Sequence, residues 1–144
     1  MKKLLIALLI NICIFPFNAF AKDDIASYSI QDALNLAHAK EKLGSDIKFY
    51  FGDQKFSKVK ENFGEFKTNK KTNAFNKTDL EACQWVFLSA MITLKDRAVK
   101  EGGNAVVNIK SNYRDNLTSD RSTFQCGSGT FVSGVALVGD VVRL

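Results

Sequence analysis

Cysteine, proline and histidine are scarce in this chain of 144 residues. It has three cysteines, one proline and a single histidine, His38. A Ser-His-Asp or Cys-His catalytic site would have to use His38, whose predicted helix has no partnering motif. No Cys-x-x-Cys pair is present for zinc or redox chemistry, and no Gly-x-x-x-x-Gly-Lys-Ser/Thr loop is present to bind ATP. We therefore predict no catalytic residue, no metal site and no cofactor.

Long apolar runs are also missing. The longest, residues 4–17, falls short of the ~20 residues that a membrane span needs. Two lysines precede this run, and residues 19–21 (Ala-Phe-Ala) follow with the small-x-small pattern that a signal peptidase cleaves. Residues 1–21 are therefore predicted to be a cleavable signal peptide of a bacterial periplasmic or secreted protein. A lipoprotein acylated at Cys13 is the competing interpretation, although Ile12 is bulkier than that processing expects.

Beyond residue 21 the chain contains no proline, no low-complexity tract and no internal repeat. Its 18 basic and 15 acidic residues give a net charge of +3. A stretch of this length suits one hydrophobic core. Residues 22–144 are therefore predicted to form a single domain.

Two cysteines, Cys83 and Cys126, remain once the signal peptide is removed. In an oxidising compartment one disulfide is the simplest explanation for such a pair. A helix that lies across its own sheet can bring these positions within the ~4.4–6.8 Å between Cα atoms that a disulfide requires. Two free buried thiols, or a redox-active or metal-binding pair, are the alternatives. Redox-active pairs usually lie close together in sequence, which these do not.

The sequence pattern of the first half of the domain predicts one helix followed by strands. Ser29 can cap a helix, with Asp32 three residues further on, and the apolar stripe that follows ends at Gly44. Residues 47–51 (Ile-Lys-Phe-Tyr-Phe) alternate as in a strand. A second strand is expected near residues 63–68.

The strongest helix signal begins at Thr78. Thr78 and Glu81 form a capping box, in which the threonine side chain accepts from the backbone of Glu81 while the glutamate reaches back. Apolar residues then recur at helical spacing, until Gly102 ends the helix. The main row is Leu80, Cys83, Phe87, Ala90, Met91, Leu94 and Ala98, and the second row is Trp85, Leu88 and Ile92. A helix that is apolar on most sides lies between a sheet and the N-terminal helix, or gives one face to a partner subunit.

Three further strands are predicted, at residues 104–110, 122–126 and 130–144, the last broken or bulged at Gly134 and Gly139. A polar loop is expected around residues 112–121. The fold class is therefore α+β: a mostly antiparallel sheet packed by a long central helix and an N-terminal helix, with one disulfide.

Short motifs between residues 80 and 138 resemble known domains. Residues 103–107 (Gly-Asn-Ala-Val-Val), after a helix, are similar to the YbjQ-type domain, a small α+β family labelled heavy-metal-binding. The helix cysteine together with residues 126–128 (Cys-Gly-Ser) also resembles the RcsF-type domain of an envelope stress sensor. That sensor domain has two disulfides and this chain has cysteines for one, so the resemblance does not transfer its sensing surfaces. One histidine beside two oxidised cysteines is also a poor heavy-metal site.

Most of the chain beyond residue 21 is similar to a group of short exported bacterial proteins, many labelled as excinuclease ATPase subunits. The resemblance lies in residues 46–52, 67–69, 71–75 and 82–85. The label implies ATP and nucleic acid as partners. The residues do not fit that activity, because the phosphate-binding loop is missing and an exported chain meets neither an ATP pool nor a chromosome.

Lysine and aromatic residues are interleaved between residues 48 and 77. The lysines are Lys48, Lys55, Lys58, Lys60, Lys67, Lys70, Lys71 and Lys77, and the aromatics are Phe49, Tyr50, Phe51, Phe56, Phe63, Phe66 and Phe75. Positive charge beside aromatic rings suits anionic polymers, lipid headgroups or lipopolysaccharide, and in principle single-stranded nucleic acid. The alternative is a half-buried strand, whose core-facing rings and solvated lysines produce the same alternation.

Three functions follow from these features. The first is a non-enzymatic exported domain that binds or senses an anionic envelope component or an envelope protein. The second is a structural or homo-oligomerising envelope module that uses the helix from Leu80 to Ala98. The third is a small hydrolase or a nucleic-acid-related protein, and an enzyme would need a pocket that gathers His38 with Asp79 or Asp96.

Overall fold

The computed structural model describes residues 22–144, in which seven strands form one sheet and three helices pack on it. The strands are β1 (Asp23–Ser29), β2 (Lys48–Phe51), β3 (Glu61–Asn73), β4 (Ala105–Tyr113), β5 (Asn116–Thr118), β6 (Thr123–Gly129) and β7 (Val132–Arg143). The helices are α1 (Ile30–Asn35), α2 (Ala37–Leu43) and α3 (Asp79–Glu101). The predicted α+β class, with a mostly antiparallel sheet and a long helix packed on it, is confirmed. The predicted signal peptide lies outside the described residues.

Strand β7 organises the sheet. It pairs along its whole length with β3 on one edge, and on the other edge with β6 near its beginning and β4 towards its end. The path continues outward through β1 beside β6 and through β2 beside β4. All these pairs are antiparallel except β2–β4, and the short β5 pairs with β4.

The N-terminal part differs from the predicted single helix. Ser29 caps α1 as expected, because its hydroxyl accepts a hydrogen bond from the backbone N–H of Asp32 (3.1 Å). The helix then breaks at Leu36, whose backbone is extended, and restarts as α2, which ends at Gly44. Strand β1 was not predicted. Its residues are mostly exposed, so its sequence has no strand-like apolar pattern. The strand forms because it pairs with β6.

Helix α3 follows the prediction closely. Thr78 accepts from the N–H of Glu81 (3.1 Å), and Gly102 ends the helix in the left-handed conformation. The helix contacts β3, β6 and β7 on one side and both short helices on another, so the first of the two predicted arrangements is confirmed. Leu80, the first residue of the predicted main row, lies in the first turn of the helix and is 51% exposed.

The sequence predicted a break or bulge in the last strand at Gly134 and Gly139, and this prediction is wrong. β7 runs without interruption through Gly134 and Gly139, and the irregularity lies in β4, where Asn108 and Ile109 together oppose Gly139. A side chain at Gly139 would lie 2.7 Å from a methyl of Val106. It would also lie 3.1 Å from a side-chain carbon of Ile109 in the bulge, so the glycine makes room for both residues.

The main core lies between the helices and one face of the sheet. A smaller apolar cluster lies on the opposite face, where the loop of residues 52–60 places Phe56 and Val59 against β4 and β7. This loop crosses the sheet because β2 and β3 stand on opposite sides of the β4–β7 pair. We call the part of this second face near Lys67 and Lys110, which no helix covers, the open face.

The predicted disulfide is present. Cys83 of α3 and Cys126 of β6 are bonded, with Cα atoms 5.9 Å apart, and both residues are fully buried. Among the described residues no helix is both long and apolar enough to cross a membrane.

Candidate anionic-partner surface

The eight predicted lysines do not form one patch. Lys48 begins β2, and β4 and β7 separate it from β3. Lys55, Lys58 and Lys60 belong to the crossing loop, and the ammonium of Lys60 donates to the main-chain oxygen of Leu144 (3.2 Å). These four lysines lie away from the far end of β3.

The other four lysines gather at and beyond the second half of β3. Lys67, Lys70 and Lys71 lie on the strand, and Lys77 lies in the loop that joins it to α3. Because β3 has 13 residues, at ~3.4 Å each its ends are ~40 Å apart. The structure therefore divides the predicted surface into two separate groups.

The charges of these lysines are unpaired within the part of the chain that the structure describes. All four arginines form salt bridges: Arg97 with Glu101, Arg114 with Asp23, Arg121 with Asp53, and Arg143 with Glu61. The fifth salt bridge joins Lys22 to Asp79. None of the eight lysines between residues 48 and 77 forms a salt bridge with a described residue. The ammonium groups of Lys60 and Lys77 donate instead to the main-chain oxygens of Leu144 and Asn73, and no acidic side chain of a described residue neutralises any of the eight.

A row of side chains crosses the open face at the middle of β3. Lys67 of β3 and Lys110 of β4 both pair with Val138 of β7, and residues paired across strands project to the same face. The two lysines therefore flank the buried Val138, at a separation of about two strand spacings, roughly 10 Å. Lys110 was not among the predicted site residues, because the pairing that places it beside Lys67 is not visible in the sequence.

A small polar groove of about 240 Å³ opens beside this row. Its polar lining residues are Lys67, Thr68, Asn69, Asn112, Arg114 and the acidic Asp115. Asp23 accepts two hydrogen bonds from Arg114, at 2.8 and 2.7 Å, and this contact raises the pKa of the guanidinium. Since Arg114 already has its counter-ion, Lys67 supplies the free positive charge of the groove.

Most of the predicted aromatics serve the core. Phe49, Phe51, Phe63 and Phe66 pack against the main core, and Tyr50 and Phe56 pack against the smaller cluster. Arg97 lies over the ring of Phe66 (4.7 Å) and Arg143 over that of Phe63 (5.4 Å). For these six residues the structure favours the half-buried alternative.

Phe75 is the exception. It is 57% exposed and stacks on Phe131, which is 64% exposed, with ring centroids 6.0 Å apart. The two rings, together with Lys71 and Val132, line a shallow open groove of about 710 Å³. Phe131 was not predicted as a site residue. Its position between two strand-forming runs, just after Gly129-Thr130, was the available signal.

His38 lies away from these lysines. Its ring stacks on Trp85, with centroids 4.5 Å apart, and its Nε2 atom is buried without a hydrogen-bond partner. Asp79, one of the two carboxylates that an enzyme could have brought to His38, forms a salt bridge with Lys22 instead. Among residues 22–144, no cluster of three or more His, Cys, Asp or Glu side chains is arranged to hold a metal ion.

Comparisons with known proteins identify no relative. A scan against models of protein families finds no match, and searches of curated proteins and of solved structures find none of significant similarity. The functional argument therefore depends on the geometry of the chain itself.

Proposed function

We propose that the protein is an exported, non-enzymatic domain that binds an anionic component of the bacterial envelope. The binding surface consists of Lys67 and Lys71 of β3 and Lys110 of β4, which project to the same face of the sheet, together with Lys77 in the loop after β3. Lys70 lies beside Lys71 at the same end of the strand and projects to the opposite face. The observation that supports this proposal most directly is that every arginine of the chain has an acidic partner, whereas none of these lysines forms a salt bridge with a described residue.

The distribution of charge supports an electrostatic partner. Residues 48–77 contain eight lysines and three acidic residues, a net charge of +5, although residues 22–144 together carry only +3. The rest of the domain is therefore slightly acidic. Such asymmetry attracts and orients anionic partners over distances comparable to the Debye length, about 8–10 Å at physiological salt.

The composition of the polar groove supports binding rather than catalysis. Lys67, Asn69 and Asn112 offer hydrogen-bond donors, and the arginine beside them is neutralised by Asp23. No histidine, cysteine or serine lines this groove, and its hydroxyl and carboxyl residues are Thr68 and Asp115. Lysine is a common point-charge ligand for phosphate and carboxylate groups.

An exported location is part of the proposal. It depends on the predicted signal peptide at residues 1–21, and the Cys83–Cys126 disulfide supports it, since disulfides persist in oxidising compartments. A periplasmic or secreted domain meets phosphorylated lipids and polysaccharides, which are the anions that such a lysine surface would bind.

Charge reversal tests the surface. In the variant K67E/K70E/K71E, binding of the purified protein to isolated envelope fractions and to immobilised heparin should fall sharply. Three positive charges become negative there, so the net charge changes by six units. Wild-type binding should weaken as sodium chloride rises from ~0.05 to ~0.5 M, since released counter-ions oppose it. Pull-down and elution salt concentration are the measurements.

The matched control is K48E/K55E/K58E, which makes the same change of charge within the same segment but away from the proposed surface. This control should retain most of the binding. Equal losses in the two variants would assign the effect to net charge alone, and unchanged binding of K67E/K70E/K71E would refute the surface.

A further inference from the structure

The exposed aromatic pair sits on the tips of two adjacent turns. Phe75 belongs to the loop between β3 and α3, and Phe131 to the two-residue connection between β6 and β7. We call residues 70–77 and 129–132 the tip. Phe75, Phe131 and Val132 are each about half exposed or more, and together they form a continuous apolar surface at one end of the sheet. Large apolar side chains gathered in this way mark an interaction site.

Hydrogen bonds hold both turns in place. The N–H of Ala74 donates to the carbonyl of Phe131 (2.8 Å), which joins the two turns directly. The N–H of Phe75 donates to the side chain of Asn73 (2.8 Å), and the ammonium of Lys77 donates to the Asn73 carbonyl (2.9 Å). The rings are therefore presented to solvent by a fixed backbone, so that little ordering is needed when a partner binds.

The tip contains positive charge and no negative charge. Lys70, Lys71 and Lys77 lie within it, and neither of its two segments contains aspartate or glutamate. The nearest acidic residues along the chain, Asp79 and Glu81, belong to the first turn of α3, where Asp79 is paired with Lys22. Across the sheet, Asp23 and Asp24 of β1 pair with Gly129 and Ser128, and Asp23 is bonded to Arg114. Apolar rings beside lysines that form no salt bridge with a described residue match a partner that is anionic at its surface and apolar beneath.

A second copy of the chain fits the tip poorly. A twofold dimer through the aromatic pair would place the same surface on both partners, and with it two sets of three lysines. Like charges brought together in this way oppose association. An anionic lipid surface instead satisfies the lysines and the rings at the same time.

We propose that the tip docks on an anionic phospholipid bilayer. Phe75, Phe131 and Val132 enter the boundary between headgroups and acyl chains, while Lys70, Lys71 and Lys77 contact headgroup phosphates. This inference rests on the proposed function and specifies its partner. Reversible membrane attachment commonly needs two weak signals, an apolar insertion and a basic patch, and the tip contains both.

Vesicle co-sedimentation tests the two signals separately. The purified protein, with its N-terminal residue established by mass spectrometry, should bind vesicles of phosphatidylcholine and phosphatidylglycerol and bind pure phosphatidylcholine much more weakly. The variant F75S/F131S should weaken binding to the mixed vesicles at least about tenfold, given the apolar area removed. The variant K70E/K71E/K77E should weaken it by roughly fivefold for each lysine.

The control for lost apolar surface is L117S/V99S. Leu117 and Val99 are 64% and 57% exposed, as Phe131 and Phe75 are, but lie outside the tip. This variant should bind vesicles like the wild type. Thermal unfolding of all variants establishes that they are folded.

Tryptophan fluorescence tests insertion directly. The only tryptophan of the natural chain, Trp85, lies outside the tip in α3 and stacks on His38, so wild-type emission should not change with vesicles. In F75W or F131W, anionic vesicles should shift the emission to shorter wavelength, and brominated lipids should quench it. The absence of both changes under conditions in which the protein sediments with vesicles would overturn the insertion.

The outcomes separate this inference from the proposed function. If K67E/K70E/K71E abolishes binding to envelope fractions while F75S/F131S binds vesicles like the wild type, the lysine surface is retained and the bilayer docking is refuted. Binding to lipopolysaccharide or heparin without binding to phospholipid vesicles would likewise retain the surface and refute the docking. If F75S/F131S instead converts a dimer to a monomer in sedimentation equilibrium, the tip is a self-association surface and the inference is wrong.

Discussion

Cys83 and Cys126 join the second turn of α3 to β6, the two elements that adjoin in sequence the turns presenting Phe75 and Phe131. Phe75 precedes Cys83 by eight residues, and Phe131 follows Cys126 by five. Both cysteines are fully buried, and the hydroxyl of Ser128 lies 3.4 Å from the sulfur of Cys83. The disulfide therefore fixes the start of the helix to the strand whose end leads into the tip.

Removing this disulfide should lower the free energy of unfolding substantially. It closes a loop between residues 43 apart in sequence, for which loop entropy predicts a stabilisation of about 4 kcal/mol. We expect C83S/C126S to lose up to about that much free energy of unfolding in urea titrations, with a lower midpoint. A double variant as stable as the wild type would contradict this stabilising role of the disulfide.

The burial of Cys83 and Cys126 allows their disulfide to be tested in the native protein. Because neither cysteine is exposed, reductant and an alkylating reagent should label them slowly in buffer and rapidly in denaturant. Mass spectrometry of non-reduced protein should show one intramolecular bond. Free thiols in protein recovered from an oxidising compartment would refute it.

Gly52 should tolerate no side chain. Its φ is +56°, and a Cβ atom there would lie 2.8 Å from the carbonyl carbon of Asp120 and 2.9 Å from the nitrogen of Arg121, both backbone atoms. We expect Gly52→Ala to lower the free energy of unfolding by about 2–4 kcal/mol, which combines the left-handed conformation with the clash. Chemical denaturation measures the loss.

Gly102→Ala is the matched control for Gly52→Ala. Gly102 also has a positive φ, +81°, but its added Cβ would meet only the movable end of Arg143 at 3.4 Å. We expect this variant to lose about 1 kcal/mol, the cost of the conformation alone. Equal losses at the two glycines would show that the backbone contact at Gly52 contributes nothing.

Asp120 should make stability depend on acid pH. Its carboxylate accepts hydrogen bonds from the backbone N–H groups of Ser122 (2.6 Å) and Thr123 (3.0 Å), and these lower its pKa. The pKa of Asp120 in the folded state lies below its unfolded value, ~3.9. The ionised carboxylate therefore makes its full contribution to the free energy of unfolding above that unfolded value. It is lost as pH falls through the folded pKa.

The variant Asp120→Asn tests this sign. It removes the charge, so it should be less stable than the wild type near neutral pH, and the two unfolding free energies should converge as the solution is acidified. NMR titration should place the pKa of Asp120 below its ordinary value. Curves that diverge on acidification would contradict the assignment.

Local signals in the sequence predicted the elements that depend on neighbouring residues. Thr78 and Glu81 mark the start of α3, Gly102 marks its end, and Ser29 caps α1, because capping contacts span only three or four residues. Residues 47–51 predicted β2 because strand alternation is also local. The cysteine pair was predicted from its small number and its compartment rather than from geometry.

The pairing of strands that are far apart in the chain was not predicted from these local signals. Strands β1 and β5 have little apolar pattern of their own and form because β6 and β4 offer them hydrogen-bonding partners. The bulge was assigned to Gly139 from its residue type. It lies instead in β4, since the partner of a glycine can take the space that the missing side chain leaves.

The candidate surface shows the same division. The sequence alone determined that residues 48–77 are rich in lysine and aromatic rings, that the chain has few residues suited to catalysis, and that α3 and the main strands form. Only the tertiary structure decided that six of the aromatics are partly buried, that Lys110 joins Lys67 and that Phe75 meets Phe131. Those relationships depend on strand pairing between residues far apart in the chain, and hydrophobic periodicity does not specify which strand pairs with which.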